Sequence, residues 1–409
     1  MITDLFSNLS STWLLILIAN GFAKFNGSPF IVLVPGGGSK IVLPSSLSDW
    51  VKTNRDLDHQ ELVRQEYFAR YSGFEAQYAI HHPWDRVLID TLRTKLSQHI
   101  QDELLKTVSQ SIEAALDEYW GNDTEEWHTI DWERDTTGLI SRAAASVFTY
   151  VKDFLTAVGT LQMLPKVIRP IVHRFFLPQS SSCRVLIKEA RILVEKYLKE
   201  RTAQQNDFLS WAQQSQSTIH SADIQLGLAV AALFTTTEAL KQALVDIALN
   251  PSAIPLLRKE VSSLFQAGGL TQTSVNSLSL LDSTIKESQR LTPFLTGLER
   301  IALNSTTLPN SKTVIPKGSI TVVSSLDQWN PLIHQHPDKF NENRFFAANE
   351  LKLSFVHILE KYDVRIKPDE QGGKGPKSVQ YGFFAIVDPG IQFEVRRRKR
   401  KEEDVGVGL

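Results

Sequence analysis

The chain has 409 residues, of which 42% are apolar and 22% charged, with 44 basic against 45 acidic side chains. This average composition excludes collagen-like, disordered and disulfide-stapled proteins. The near-neutral charge gives no electrostatic footprint for nucleic acid, so we expect no nucleic-acid partner. The single cysteine, Cys183, excludes an intramolecular disulfide, a four-thiolate zinc site and an iron–sulfur cluster within one chain.

The N-terminal part contains one apolar run and one glycine-rich turn. The run Trp13–Ala19 is far shorter than the roughly 20 apolar residues of a spanning helix, and no basic segment precedes it. It predicts an amphipathic helix ending near Phe25, with a partial membrane anchor as the alternative. Residues 29–43 predict two strands around the glycines 36–38. A phosphate loop would need a glycine-lysine pair and a following helix, which are absent.

Residues 47–290 have helical periodicity throughout. The spacing predicts helices over 88–112, 137–162 and 183–212, with Ser180–Ser182 as a loop whose serines cap the third. Residues 221–249 predict a long central helix, ended by Asn250 and Pro251. Because this helix is apolar on every side from Leu226 to Leu233, we expect it to cross the middle of the domain.

Beyond residue 290 the pattern changes to short strands with one further helix. Strands are predicted at 301–303, 313–315 and 319–323 and again beyond 364, with a helix over 349–362. The basic run Arg396–Lys401 predicts a solvated end, the alternatives being a localisation signal or a lipid contact.

Three local features can carry chemistry. Glu287 and Arg290 stand three residues apart on a helix, where a surface ion pair is the simplest interpretation. Thr235–Thr237 interrupt the apolar helix, and their hydroxyls either loosen it into a small-molecule groove or are satisfied inside the core. The third feature is the phrase PDKF from Pro337, followed by RFF from Arg344.

Together these features resemble the cytochrome P-450 superfamily, specifically the fungal membrane-bound enzymes of secondary metabolism. Four further phrases share the resemblance: AIHHPWDRVL from Ala79, IPKG from Ile315, WNP from Trp329 and RFFAANELK from Arg344. The resemblance implies a mainly α fold with small β-sheets. It also implies a single domain over 26–398, between a short apolar or amphipathic segment, 1–25, and a polar tail, 399–409.

The resemblance also implies roles for individual residues. Thr235 matches the central-helix threonine that helps to deliver protons to iron-bound dioxygen. Glu287 and Arg290 match a buried charge network, with Arg344 as its third member. Two arginines match positions that pair with a haem propionate: these are Arg300 and, as a weaker candidate, Arg93. The implied cofactor is haem b.

The sequence departs from the family at the iron ligand. The family's cysteine lies in a glycine-containing loop before a helix, but here no cysteine follows Cys183. The simplest explanation is a deletion of this proximal loop between Asn343 and Arg344. No metal ligand is assigned, because Cys183 lies far from the loop in sequence and the three nearby histidines are expected to be loop, capping or packing residues: His334, His336 and His357. Phe234 replaces the acidic residue or histidine that usually precedes the threonine.

The resemblance therefore implies a haem-dependent monooxygenase by descent. Its relatives oxidise an apolar terpenoid or meroterpenoid with dioxygen and electrons from an NADPH-cytochrome reductase. We expect this chain neither to bind haem stably nor to turn over. The alternatives are a non-catalytic helical scaffold that binds a ligand or a partner, and a truncated product without function. The family implies the endoplasmic reticulum membrane, and the short apolar run favours a cytoplasmic or peripheral location here.

Overall fold

The computed structural model describes most of the chain in twelve segments. These are residues 13–34, 38–82, 102–140, 145–201, 208–214, 219–266, 269–294, 297–309, 311–330, 349–367, 378–381 and 384–399. Arg93, Arg344, His334 and His336 lie outside the described residues.

Helices make up most of the described fold. In chain order they are α1 (Trp13–Lys24), α2 (Ser48–Thr53), α3 (His59–Glu66), α4 (Glu75–Ile80), α5 (Asp102–Tyr119), α6 (Thr137–Ile140), α7 (Ala145–Gln162), α8 (Arg169–Ile171), α9 (Pro178–Glu200), α10 (Phe208–Gln214), α11 (Ser221–Leu249), α12 (Ala253–Gln266), α13 (Gln272–Asn276), α14 (Ser279–Leu291) and α15 (Asn349–Lys361). Short π-helical turns follow at Trp132–Thr136 and Val172–Phe176.

The strands form four small sheets. They are β1 (Phe30–Val34), β2 (Gly38–Leu43), β3 (Leu57–Asp58), β4 (His128–Thr129), β5 (Gly297–Ala302), β6 (Thr306–Thr307), β7 (Val314–Ile315), β8 (Ile320–Ser324), β9 (Tyr362–Ile366), β10 (Ser378–Tyr381), β11 (Phe384–Val387) and β12 (Phe393–Arg397). The largest sheet has the order β1-β2-β8-β5-β3, in which only β2 and β8 are parallel. The others are β4-β12-β9, β10-β11 and β6-β7. The predicted hairpin at 29–43 and the mainly α class are confirmed.

The central helix α11 joins the two largest apolar cores. Its N-terminal half packs with α7 and α9 around Tyr150 and Phe154. Its C-terminal half packs with α14 and belongs to the apolar core that α5, α12 and α15 also form. Asn250 ends the helix as the sequence predicts. Among the described helices it alone has the length and apolar character to cross a membrane, and half of its most apolar window is buried in the protein.

The burial of α11 differs from the sequence-based expectation at its middle. Ala231, Ala232 and Thr235 are exposed, whereas Leu233 and Thr237 are buried. Successive residues of an α-helix are rotated by about 100°, so Ala231 and Thr235, four residues apart, lie on the same face. Helix α11 therefore crosses the domain, but this face remains exposed near Thr235.

Two other expectations are wrong. Ser180–Ser182 belong to α9, which begins at Pro178, because a proline at the first helical position has its φ angle already set for a helix. The first residues of the basic run form ion pairs with the rest of the protein, so the run as a whole is not a solvated end. Arg396 pairs with Asp363 at 3.2 Å and Arg397 with Asp117 at 2.7 Å, so these side chains hold the last strand to the core.

Candidate functional site

The threonines of α11 have contrasting environments. Thr235 is exposed, and its hydroxyl donates to the carbonyl oxygen of Ala231 at 2.8 Å. This is the local bond that weakens helix packing in the sequence-based interpretation. Thr237 is 3% exposed, and its hydroxyl has no hydrogen-bond partner within the described part of the chain. The exposed Thr235 hydroxyl therefore has a hydrogen-bond partner in its own helix, whereas the buried Thr237 hydroxyl has none among the described residues.

Strand β11 lies directly against this part of α11. The backbone N–H of Val387 donates to Oε2 of Glu238 at 3.1 Å, and Oε1 of Glu238 accepts from Lys241 at 2.8 Å. Ala385 donates its N–H to the carbonyl of Phe294 at 2.9 Å, and the Phe294 ring meets Phe234 edge-on at 5.4 Å. Sequence reasoning missed this contact, because nothing in a four-residue strand shows which distant helix it will meet.

The predicted pair Glu287–Arg290 is a bidentate ion pair. Nε and Nη2 of Arg290 lie 2.7 and 2.8 Å from the two carboxylate oxygens of Glu287, which is 1% exposed. Nη1 donates to the carbonyl of Gln328 at 2.6 Å. The surface-pair interpretation is therefore wrong. A buried pair of this kind is stable only when its hydrogen-bonding groups find partners, as they do here.

Arg300 is half-buried on β5. Its Nη1 donates to the carbonyl of Glu299 at 2.7 Å, and burial lowers the pKa of its guanidinium. The neighbouring Lys40 is a site that the sequence did not reveal: its ammonium lies 2.6 Å from Glu299 and 3.2 Å from Glu66. Burial alone would lower the pKa of Lys40, but the two carboxylates outweigh it and raise that pKa. Pairing of Arg300 with a haem propionate stays a prediction.

Cys183 lies inside α9. Its side chain is fully buried beside Tyr150, with Sγ 4.0 Å from the carbonyl oxygen of that residue. Burial raises the pKa of the thiol to about 12. A cysteine binds a metal as the thiolate, which forms in electropositive surroundings rather than in apolar ones. Cys183 is therefore a residue of the apolar core.

His357 is also a packing residue, as the sequence suggests. It lies on α15 with 2% exposure, and its Nε2 is 2.7 Å from the hydroxyl of Ser109 on α5. Burial lowers the pKa of His357 to about 4. No group of three or more His, Cys, Asp or Glu side chains that could bind a metal occurs among the residues that the structure describes.

The residues present do not fit a haem with a thiolate ligand. The sequence has one cysteine, and that residue is buried in α9 rather than next to α15. The cavity at Thr235 has a volume of about 210 Å³ and is lined also by Gln289, Phe294, Ala385 and Val387. The described residues therefore offer no thiolate for the iron of a haem.

Comparison with known proteins identifies the family. Residues 139–358, more than half of the chain, match the family model described as Cytochrome P450. The cytochrome P450 monooxygenase adrA of Penicillium rubens is 27% identical over 455 residues, which cover 94% of this chain and 87% of the relative. The cytochrome P450 monooxygenase hepE of Aspergillus oryzae is 28% identical, with coverage of 93% and 81%.

Solved structures give the same fold. The crystal structure of cytochrome P450 CYP102L1 superposes with a TM-score of 0.71 at 15% identity, covering 92% of this chain and 96% of that one. A zebrafish cytochrome P450 solved with abiraterone gives a TM-score of 0.67 at 14% identity. The matched range contains α11, the Glu287–Arg290 pair and Arg300. The chain belongs to the cytochrome P450 family, whose members are haem-dependent monooxygenases.

Proposed function

We propose that the reaction of this lineage is the oxidation of an apolar terpenoid or meroterpenoid intermediate. The similar fungal proteins are named as monooxygenases, and this chain matches them over nearly all of its length. The apolar lining of α11, with Leu233 and Phe234, supports an apolar substrate. Within this reaction Thr235 has the role of a proton-delivery residue, and Arg300 and Arg93 have the role of propionate partners.

The chain as it stands does not form the haem–thiolate centre of that reaction. One observation carries this proposal: the only sulfur nucleophile in the sequence is Cys183, which is buried in α9 with its pKa raised to about 12. A thiolate supplies the electron density that favours cleavage of the O–O bond. Without it, neither stable haem binding nor turnover is expected.

An internal deletion accounts for the missing ligand. The alignment with the Penicillium rubens relative is 455 residues long and this chain has 409, so at least 46 positions of the relative have no counterpart here. This surplus is large enough for a loop of about 30 to 40 residues at the proposed junction between Asn343 and Arg344. The genomic DNA between those two codons tests the junction. An in-frame sequence encoding a glycine-rich cysteine loop supports it, and directly adjoining codons with the loop nowhere in the gene show an inherited loss.

The spectrum of the reduced carbon monoxide complex tests directly whether the chain binds haem through a thiolate. The purified full chain is mixed with equimolar haemin, reduced with dithionite and exposed to carbon monoxide, beside a Cys183→Ala variant. We expect no red-shifted thiolate Soret band from either protein. A thiolate band in the unmodified chain that disappears in the variant would falsify the proposal.

A second candidate function is that of a ligand- or partner-binding scaffold. It is favoured by the contacts of Arg290: within the described part of the chain, its three guanidinium nitrogens donate to the Glu287 carboxylate and to the carbonyl of Gln328. The fold can then persist without a cofactor. A scaffold binds its ligand with the same affinity before and after addition of haemin, whereas an enzyme that requires haem binds more tightly after it.

The family also implies a redox partner and a membrane location. Members of the family take electrons from a redox partner and are typically membrane-associated; we propose an NADPH-cytochrome reductase and peripheral attachment to the endoplasmic reticulum. Helix α1 has 12 residues, about 18 Å at 1.5 Å per residue, against a bilayer core of about 30 Å. Leu33 is 82% and Ile31 66% exposed on β1, which supports contact with lipid. Flotation with phosphatidylcholine vesicles tests this: Leu33→Ser should reduce binding, and Val314→Ser at an exposed position of the separate β6-β7 sheet should not.

A further inference from the structure

The connection between α7 and α9 contains a buried histidine. After the three-residue helix α8 the chain makes one π-helical turn, Val172–Phe176, and Leu177 is extended before α9 begins. Turns of this kind are rare and often occur at functional sites. His173 in this turn is 4% exposed, whereas Phe175 and Phe176 are 75% and 72% exposed. Of these three rings, only the imidazole packs into the protein.

Two aromatic rings lie against the imidazole of His173. The ring centroid of Tyr71 is 4.7 Å away, and that of Phe74 is 5.1 Å away in an edge-on arrangement. The segment that carries these rings is fixed, because the hydroxyl of Tyr150 donates to the carbonyl of Gly73 at 2.9 Å. A Cβ atom at Gly73 would lie 2.9 Å from a backbone nitrogen of α9, so the segment also touches that helix. The imidazole therefore packs on a fixed surface, and the turn is the part that can move.

The charged groups that act on the imidazole are cationic. The guanidinium of Arg184 on α9 lies 3.4 Å from the carbonyl oxygen of His173, and Arg174 follows in the turn itself. The ring is hydrogen-bonded to the backbone of Ser72, but its Nε2 has no partner among the described residues. A proton on Nε2 would therefore add a positive charge beside two others, at a buried atom without an acceptor in that part of the chain.

The titratable groups of the other packed elements act elsewhere or are neutral. Burial raises the pKa of the Tyr71 hydroxyl above its ordinary value of 10.0, so this group carries no charge below pH 8. Arg169 on α8 lies over an aromatic ring at 5.4 Å. Asp153 on α7 and Glu75 on α4 raise the pKa of the buried thiol in α9. The two arginines thus dominate the charge around the imidazole, and both oppose its protonation.

The pKa of His173 agrees with this geometry. Burial, followed by the charge of Arg184, lowers it to about 4 from the ordinary value of 6.5. The bond to the backbone of Ser72 acts in the opposite direction without compensating. Release of the turn would return the imidazole to water and to its ordinary pKa. Between the two pKa values the released turn binds more protons than the packed turn, so release becomes more favourable as the pH falls.

We propose that the turn Val172–Phe176 is a pH-sensitive latch: protonation of His173 drives its ring away from the two aromatic neighbours and releases the turn from α9. Release would uncover Phe74 and Leu177, which are buried in the apolar core shared by α7, α9 and α11. Local openings of this kind occur in folded proteins without global unfolding. The latch uses none of the predicted propionate or charge-network positions, so it is independent of the monooxygenase reaction.

Hydrogen exchange measures the opening of the latch. The purified full chain is exchanged at pH 7.0 and at pH 5.0, and the protection of the amides of residues 172–177 is corrected for the intrinsic effect of pH on exchange. We expect about a 20-fold loss of protection at pH 5.0, the change in opening equilibrium for a pKa of about 4 in the packed turn and 6.5 in the released turn. Equal corrected protection at the two pH values overturns the proposal.

Variants at two buried histidines separate the latch from a general loss of stability. His173→Phe keeps a ring against the aromatic neighbours but takes up no proton, so its corrected protection should be equal at both pH values. His173→Gln should show the same independence of pH even where its protection is lower throughout. His357→Gln removes the buried histidine of α15 and should retain the 20-fold change. Persistence of the change in both variants at His173, or its loss in His357→Gln, overturns the proposal.

Discussion

Val387 donates its backbone N–H to Oε2 of Glu238 at 3.1 Å, and this bond ties strand β11 to the middle of α11. Both residues are buried. Hydrogen bonds to an ionised acceptor are shorter and stronger than bonds between neutral groups. The contact connects residues 149 positions apart, and both residues line the cavity at Thr235.

Removal of the Glu238 carboxylate should therefore release β11. In Glu238→Leu the N–H of Val387 and the ammonium of Lys241 lose their acceptor, so we expect a loss of about 2–4 kcal/mol in the free energy of unfolding. Urea denaturation measures this loss, and hydrogen exchange at the Val387 amide reports the strand. Glu238→Gln keeps an acceptor and should cost less than Glu238→Leu. Equal exchange rates in all three proteins would contradict the assignment.

A buried ion pair joins α14 to α15. Lys352 is 1% exposed, and its ammonium lies 3.1 Å from Asp282. In Lys352→Met the buried Asp282 carboxylate loses the ammonium that faces it, so we expect a loss of about 3–5 kcal/mol in the free energy of unfolding. The double variant Lys352→Met with Asp282→Leu removes both charges and should recover a large part of this loss. Chemical denaturation of the two variants decides the matter: a double variant no more stable than the single one would rule out charge desolvation as the cause.

Local sequence patterns predicted some elements with their bounds, but the helix predicted over 183–212 ends at Glu200, and the contacts between elements were not predicted. The periodicity of residues 221–249 and their terminator at Asn250 give α11 with the bounds that the structure has. The motif of Glu287 and Arg290 gives a pair on one helix face, and the resemblance to the family correctly places it in the interior. Burial is a tertiary property, so spacing alone favoured a surface pair, which the structure contradicts.

Contacts between residues that are distant in the sequence were not predicted. Lys40 and Glu299 are 259 positions apart, and neither stands in a motif. A cavity beside α11 is likewise lined by Trp132, Leu155 and Ile391, which come from separate segments of the chain. The threonines were singled out for their place in an apolar helix. Which hydroxyl is satisfied depends on the neighbours of each one, and no pattern within the helix contains that information.

The thiol of Cys183 should be inert in the folded protein. Its pKa is raised to about 12 by burial, so the thiolate fraction at pH 8 is negligible and the apolar core shields the sulfur. We expect a disulfide reagent such as dithiobis-nitrobenzoate to label less than one tenth of the chains in native buffer within an hour. Labelling should be complete in 8 M urea, which serves as the control. Rapid native labelling would show that the side chain is accessible and would reopen its role as a ligand.

Stability should fall on acidification between pH 6.5 and 4, and His357 is one cause. Burial lowers its pKa to about 4 in the folded protein, against 6.5 for the unfolded chain. Lys361 lowers the pKa further, whereas Glu113 and Asp117 act in the opposite direction. Between the two pKa values the unfolded state binds more protons than the folded state, so the free energy of unfolding decreases as pH falls.

The size of this effect follows from the shift. Each unit of pKa difference corresponds to about 1.4 kcal/mol, so neutral His357 contributes about 3 kcal/mol at pH 7 that is lost near pH 4. His357→Gln should flatten the dependence of unfolding free energy on pH in this window by about that amount. His128→Gln replaces a histidine that is not buried and serves as the control. Parallel pH profiles for the unmodified chain and the His357→Gln variant would show that His357 gains its proton without loss of packing around Ser109.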